Sequence, residues 1–189
     1  MTNRDEAWQL LSEYTKNPSL IKHALAVEAA MRHFAKQNGE DPERWGIVGL
    51  LHDFDYEQHP TLEEHAIVGA SILRDRGWDE ETIRAIQSHA NHTGVTRESS
   101  MEKTLFAVDE LCGFIIAVAL VRPSKDIRDV KPKSVKKKLK DKAFARAVNR
   151  KDILDGVAAL GQDMPPFIQE VIDSLSEVAA ELELDGCNA

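Results

Sequence analysis

The sequence predicts an all-α protein, and three observations carry that prediction. Apolar residues recur with the 3.6-residue helical period, most plainly in Phe167, Ile168, Val171, Ile172, Leu175, Val178 and Leu182. Helix start and stop signals punctuate the chain at Asn17-Pro18-Ser19, Asn38-Gly39, Asp41-Pro42-Glu43 and Gly77. No stretch of useful length alternates apolar and polar residues as a half-buried strand does.

Each element has its own justification. Trp8, Leu11 and Tyr14 space a first helix over Asp5 to Tyr14, and Ser19 is the expected N-cap of a second over Leu20 to Lys36. Asp41 then Pro42, a proline suited to a first helical position, opens a third that runs through an apolar stretch to His52. Residues 53–61 read as loop. A fourth helix is expected over Leu62 to Arg76, a fifth from Glu80 to about Ala90 with Asp79 as cap, and a sixth from Ser99-Ser100-Met101-Glu102 to Leu120. Ser134 is the expected cap of a seventh over Val135 to Val148, and the periodic segment at Phe167 to Leu182 ends the chain.

With 189 residues the chain is expected to form a single domain over 1–189. The longest apolar stretch, Phe114 to Val121, is far short of the roughly 20 residues of a membrane span, so no membrane partner is expected. Two isolated cysteines, Cys112 and Cys187, make neither a disulfide framework nor a thiolate metal site. No apolar signal region follows Met1, and a cytoplasmic location is the expectation. The net charge of −8 conceals an asymmetry: residues 122–151 carry 13 Lys and Arg against 3 Asp, so the remainder is strongly acidic. Such a chain is not built to coat nucleic acid, and Phe144 is the only aromatic near the basic run, so no stable nucleic-acid partner is expected.

The chemistry-bearing residues begin with His52-Asp53, at the end of the apolar run Ile47 to Leu51. A carboxylate there is costly unless it is paired or bound to a metal. Asp109 has the same problem among Leu105, Phe106, Val108 and Leu111, where a buried hydrogen-bonding role weighs about equally. His23 lies near the start of the second helix, and His65 and His89 fall on the fourth and fifth. Neutral imidazoles with carboxylates are a donor set that first-row divalent metals take. His33, about 80° from His23 on the helical wheel, and His59, before Pro60, read as ordinary packed or surface residues.

His23, the doublet His52-Asp53 and the distant Asp109 together resemble the HD-domain superfamily of metal-dependent phosphohydrolases, over about residues 19–115. The resemblance implies a helical bundle; the basic segment and C-terminal helices at 122–189, outside the span of the resemblance, are expected to pack on that core. The resemblance also implies one divalent metal on His23, His52, Asp53 and Asp109. Glu64-His65 to Leu73 and Ile83 to His89 are similar to the ligand segments of two-metal members, which implies a second metal on Asp53, His65 and His89. Asp53 is then the bridging, catalytic residue. The metal is one or two of Fe, Mn, Mg, Co or Ni. Many relatives read His-Asp-Ile-Gly where this chain has His52-Asp53-Phe54-Asp55, and the Gly-Tyr-Pro signature of the cyclic-dinucleotide branch is absent.

Metal-activated water attacking phosphorus is the chemistry such a site implies, on a nucleotide or small phosphorylated metabolite. Asp55, Glu64 and His92 are candidates to orient the ligands. Most of the lysines read as a solvated helix face, but Arg122, Lys133 and Lys137 are candidates to hold the substrate's other anionic group. A mixed-valence diiron oxygenase and a non-catalytic ligand-binding module are the alternative readings. The oligomeric state is left open.

Overall fold

The computed structural model describes residues 3–187. Among them the regular structure is nine α-helices, two short 3-10 turns and a single antiparallel bridge between Asp126 and Asp185. The all-α expectation holds. Among the described residues, no helix is long and apolar enough to cross a membrane. The chain falls into two compact units, one up to Leu105 and the other from Phe106.

The first unit opens with α1 (Arg4–Tyr14), closed at its start by a reciprocal capping box between Asn3 and Glu6. Next comes α2 (Pro18–Asn38), whose cap is Asn17 rather than Ser19: the Asn17 side chain accepts from the Ser19 amide at 2.9 Å, and Pro18 takes the first helical position. Gly39, at φ 71°, ends it in the left-handed conformation that glycine favours.

In α3 (Pro42–Leu51), every residue from Trp45 to Leu51 is buried. A helix apolar on all sides belongs to a core. It approaches α2 closely because Gly49 lacks a Cβ, which would lie 2.8 Å from the Val27 carbonyl oxygen and 3.0 Å from the Glu28 amide. Glu28 is buried beside this seam and is paired with Arg4 at 2.7 Å and Arg32 at 3.0 Å. Turns over residues 52–58 follow, with Phe54 buried edge-on to Tyr14 and its carbonyl accepting from the Thr15 hydroxyl at 2.9 Å.

The fourth helix is shorter than expected. Turns occupy 62–66, and α4 runs Ile67–Asp75. Its N-cap is Ala66 at φ 59°, with no capping side chain of its own. The cap comes from Asp55, which accepts from the amides of Ala66 and Gly69, both at 2.9 Å. Asp79 caps α5 (Glu80–His89) through the Thr82 amide, as the sequence indicates. Ser99 and Glu102 cap α6 (Ser100–Leu120) reciprocally, at 3.2 Å and 2.9 Å.

In the second unit the remainder of α6 meets α8 (Arg150–Ala159), an element the sequence reading left unassigned. A Cβ on Gly156 would come within 2.6 Å of the Ala107 Cα. The expected helix over 135–148 is instead α7 (Pro132–Leu139), followed by turns. Those turns are held by one side chain. The Arg150 guanidinium donates to the carbonyls of Leu139, Asp141, Ala145 and Val148 at 3.0 to 3.3 Å, and also to that of Phe144. The last helix, α9 (Met164–Glu177), stops short of the expected Leu182 and continues as turns. Its buried Phe167, Ile168, Val171, Ile172 and Leu175 make the expected apolar stripe a core face.

Candidate metal centre

The close seam between α2 and α3 brings two histidines together. His52 caps the C-terminus of α3, fully buried, and its Nε2 lies 3.2 Å from the Nε2 of His23 on α2. The other ring nitrogen of His52 is committed: Nδ1 donates to the Gly49 carbonyl at 2.7 Å. His89, the last residue of α5, repeats this device, with its Nδ1 donating to the Ile86 carbonyl at 2.5 Å. Carbonyls in the last turn of a helix lack helical partners, so a terminal histidine can use one to fix its ring.

His65 is fixed by a carboxylate instead, its Nδ1 donating to Asp55 Oδ1 at 3.0 Å. With Nδ1 protonated in all three, the Nε2 lone pairs of His52, His65 and His89 are left to face inward. They face Asp53. Its Oδ1 lies 3.3 Å from His65 Nε2 and 3.1 Å from His89 Nε2, and its Oδ2 lies 3.5 Å from His52 Nε2.

That arrangement fits a divalent cation. His65 and His89 bring their Nε2 atoms within 3.3 Å, where two lone pairs repel unless a positive charge lies between them. Ligand atoms about 2.1 Å from one ion are themselves about 3.0 Å apart at right angles and about 3.4 Å apart in a tetrahedron. The triad Asp53, His65 and His89 falls in that range, with its candidate ligand atoms all within 4.8 Å.

The titration behaviour agrees. Burial pushes the Asp53 carboxyl up, but the charge of His52 and hydrogen bonds from His52, His65 and His89 outweigh it and hold Asp53 well below the usual carboxylate range. Burial likewise opposes a proton on His65, yet hydrogen bonds to Asp53 and Asp55 raise its pKa to about 9. In metal-free protein a proton thus takes the position the donor set offers to a cation.

The other predicted residues divide. Asp55 is the carboxylate that orients His65, whereas Glu64 instead accepts from the Thr61 hydroxyl at 3.1 Å. His92 donates from Nε2 to the His65 carbonyl at 3.0 Å. Asp109 is half-buried on α6 within the second unit, where the Cys112 thiol is pushed well up by burial and by the Asp109 charge. Arg122, Lys133 and Lys137 also belong to the second unit. The sequence reading missed Tyr56, whose exposed ring stands edge-on to His65 at 5.2 Å. It missed the Gly49 and Ile86 carbonyls as well, for which the available signal was a histidine ending a helical run.

The HD domain profile matches residues 20–114, half the chain. The chain belongs to the HD domain family. HD domains bind divalent metals and are grouped with metal-dependent phosphohydrolases. This HD domain is 34% identical over 98 residues to an uncharacterised protein of Methanocaldococcus jannaschii, covering 49% of this chain and 57% of that one. It is 28% identical over 106 residues to ribonuclease Y of Oleidesulfovibrio alaskensis, covering 56% and 20%. It is 30% identical over 93 residues to a tRNA (cytidine(56)-2'-O)-methyltransferase of Thermoplasma volcanium, covering 49% and 27%. The HD-domain chain thus spans between about a fifth and somewhat over half the length of these curated relatives. No solved structure gives a significant match.

Proposed function

We propose that this HD-domain protein is a metal-dependent phosphohydrolase that cleaves a phosphate ester of a nucleotide or a small phosphorylated metabolite. The observation that carries this reading is the convergence on Asp53 of three imidazoles whose other nitrogens are already committed. Bound divalent ions lower the pKa of a water and offset charge on phosphoryl oxygens.

The chain's own residues supply the rest. Asp53, kept ionised by its neighbours, presents one oxygen to His65 and His89 and the other to His52, so it ties the two halves of the site at a set distance. Asp55 and the Gly49 and Ile86 carbonyls hold the rings in the tautomer that offers Nε2. His92 braces the His65 backbone. Asp109 enters the proposal on the sequence resemblance and on a family match that runs to residue 114. Ribonuclease Y and the tRNA methyltransferase are named for RNA, which supports a nucleotide or phosphodiester among the substrates to be tried first.

The experiment is metal analysis of protein purified without added metal, followed by phosphate-ester hydrolysis with Mn²⁺, Mg²⁺, Co²⁺ or Ni²⁺. Asp53→Ala is expected to lose both metal and turnover. Full activity in that variant discards the mechanism. Two irons, oxygen consumption and no phosphate release would assign the site to oxidative chemistry instead.

A further inference from the structure

A concentrated positive feature outside the candidate metal centre lies wholly in the second unit. Four lysines of the basic segment, Lys133, Lys136, Lys137 and Lys140, are spaced i, i+3, i+4 and i+7, so α7 and its C-cap present them on one face. All four are exposed, and with Pro132 and Pro165 they line an open groove of about 470 Å³. Val135 on the opposite side is fully buried, which fixes the direction in which the lysine face looks. Lys138 is sorted away from it, its Nζ 4.5 Å from the centre of the Phe144 ring.

Like charges three and four residues apart destabilise a helix unless something compensates them. Several cations elsewhere in this acidic chain do find carboxylates: Arg4, Arg32, Arg74, Arg84, Arg128 and Lys151 are ion-paired. Among the described residues, the four groove lysines have no such partner. With 32 acidic residues in the chain, an uncompensated quartet is a positive surface left open to a ligand.

We infer that this groove binds the phosphate backbone of a nucleic-acid strand. Three features select that occupant. The lysines extend over about 10 Å, the rise of seven helical residues, which is on the order of three phosphate intervals at about 3.4 Å along one strand, so up to four phosphates, and more than one phosphate group can span. All four are lysines, compact point charges suited to successive phosphates, whereas planar carboxylates of an acidic protein favour the arginine fork. The apolar side of α7 is turned inward through Val135, so the helix lacks the exposed apolar face by which a basic helix enters a lipid surface. Phe144, the nearby aromatic, is engaged by Lys138, so contact is with the backbone and independent of sequence. Lys133 and Lys137, assigned from sequence to a single substrate anion, thereby act with Lys136 and Lys140 on a longer one. This reverses the sequence-based expectation of no nucleic-acid partner: four lysines on one face serve a phosphate backbone without the aromatic platforms that base stacking needs.

The test is fluorescence anisotropy of the full chain as purified, with a labelled 20-nucleotide oligouridylate whose integrity is checked on a gel. Binding is expected to weaken with salt at a logarithmic slope of about −2.8, for four phosphate contacts to a single strand. Lys133→Gln with Lys137→Gln should halve that slope to about −1.4, and all four changed to Gln should abolish binding. Lys151→Gln, an exposed lysine of the same unit paired with Asp155, should leave it unchanged. No binding to the oligonucleotide, binding untouched by the fourfold variant, or binding only to phosphatidylserine vesicles would each overturn the inference. The measurement needs no turnover: a chain that binds the strand but hydrolyses nothing keeps this inference and loses the proposed activity.

Discussion

Asp55 accepts a hydrogen bond from His65 Nδ1 at 3.0 Å while also accepting the amides of Ala66 and Gly69, so one buried carboxylate sets both the His65 tautomer and the start of α4. Asp55→Asn keeps the shape, but it removes the charge and points an amide donor at groups that themselves donate. The variant is expected to lose about 1–3 kcal/mol of stability, because a buried donor is left unmet. It should also bind metal roughly 10- to 100-fold more weakly. Denaturant titration and calorimetric metal titration read the two effects separately, and unchanged metal affinity would remove Asp55 from the centre.

Metal-free protein should lose stability with rising pH through His65. Its pKa is 6.5 in ordinary surroundings and about 9 in the fold, where hydrogen bonds to Asp53 and Asp55 outweigh burial. The folded state therefore holds the proton more tightly. The contribution is complete below pH 6.5 and is lost as pH rises through 9, up to roughly 3 kcal/mol. Metal binding runs the other way, since the ion displaces that proton, and affinity should rise by up to about tenfold per pH unit across the same window. Thermal midpoints with and without metal at pH 6.5 and 9 check both signs.

Gly49→Ala should force α2 and α3 apart, because the new Cβ meets backbone rather than a flexible side chain. A destabilisation of about 1–3 kcal/mol is expected. Metal loss should accompany it, since the same seam holds His23 and His52 at 3.2 Å. Denaturation midpoints combined with metal content test the coupling.

Arg150→Lys retains the charge but cannot reach five carbonyls from one ammonium. The turns at 140–149 should become accessible to trypsin, at a cost of about 3 kcal/mol in stability. Limited proteolysis beside the wild-type chain is the measurement, and an unchanged cleavage pattern would contradict it.

What could be read from sequence followed from whether its cause was local. Asp79 and the Ser99–Glu102 pair announce their helices because cap and helix are adjacent in the chain. The doublet was legible because a carboxylate closing an apolar run demands a partner. The start of α4 was not, since its cap lies 11 residues upstream in Asp55 and Ala66 adopts a φ that no local pattern signals. Asp55 prevailed over Glu64 for the same reason: contact across the fold, not proximity along the chain, decided which acid meets His65. The length of α7 was overestimated because lysine-rich sequence favours helix, while Arg150 gathers the following carbonyls into turns. α8 shows only Ile153, Gly156 and Val157 to the interior, too few to mark a period.

Arg150 also bears on redesign. The segment it gathers joins α7 to α8 with no regular hydrogen-bonded scaffold of its own, so the path by which the chain leaves the lysine-bearing helix is set by a side chain outside that segment. Anyone grafting that cationic helix onto another scaffold would have to transplant the arginine and its loop along with it.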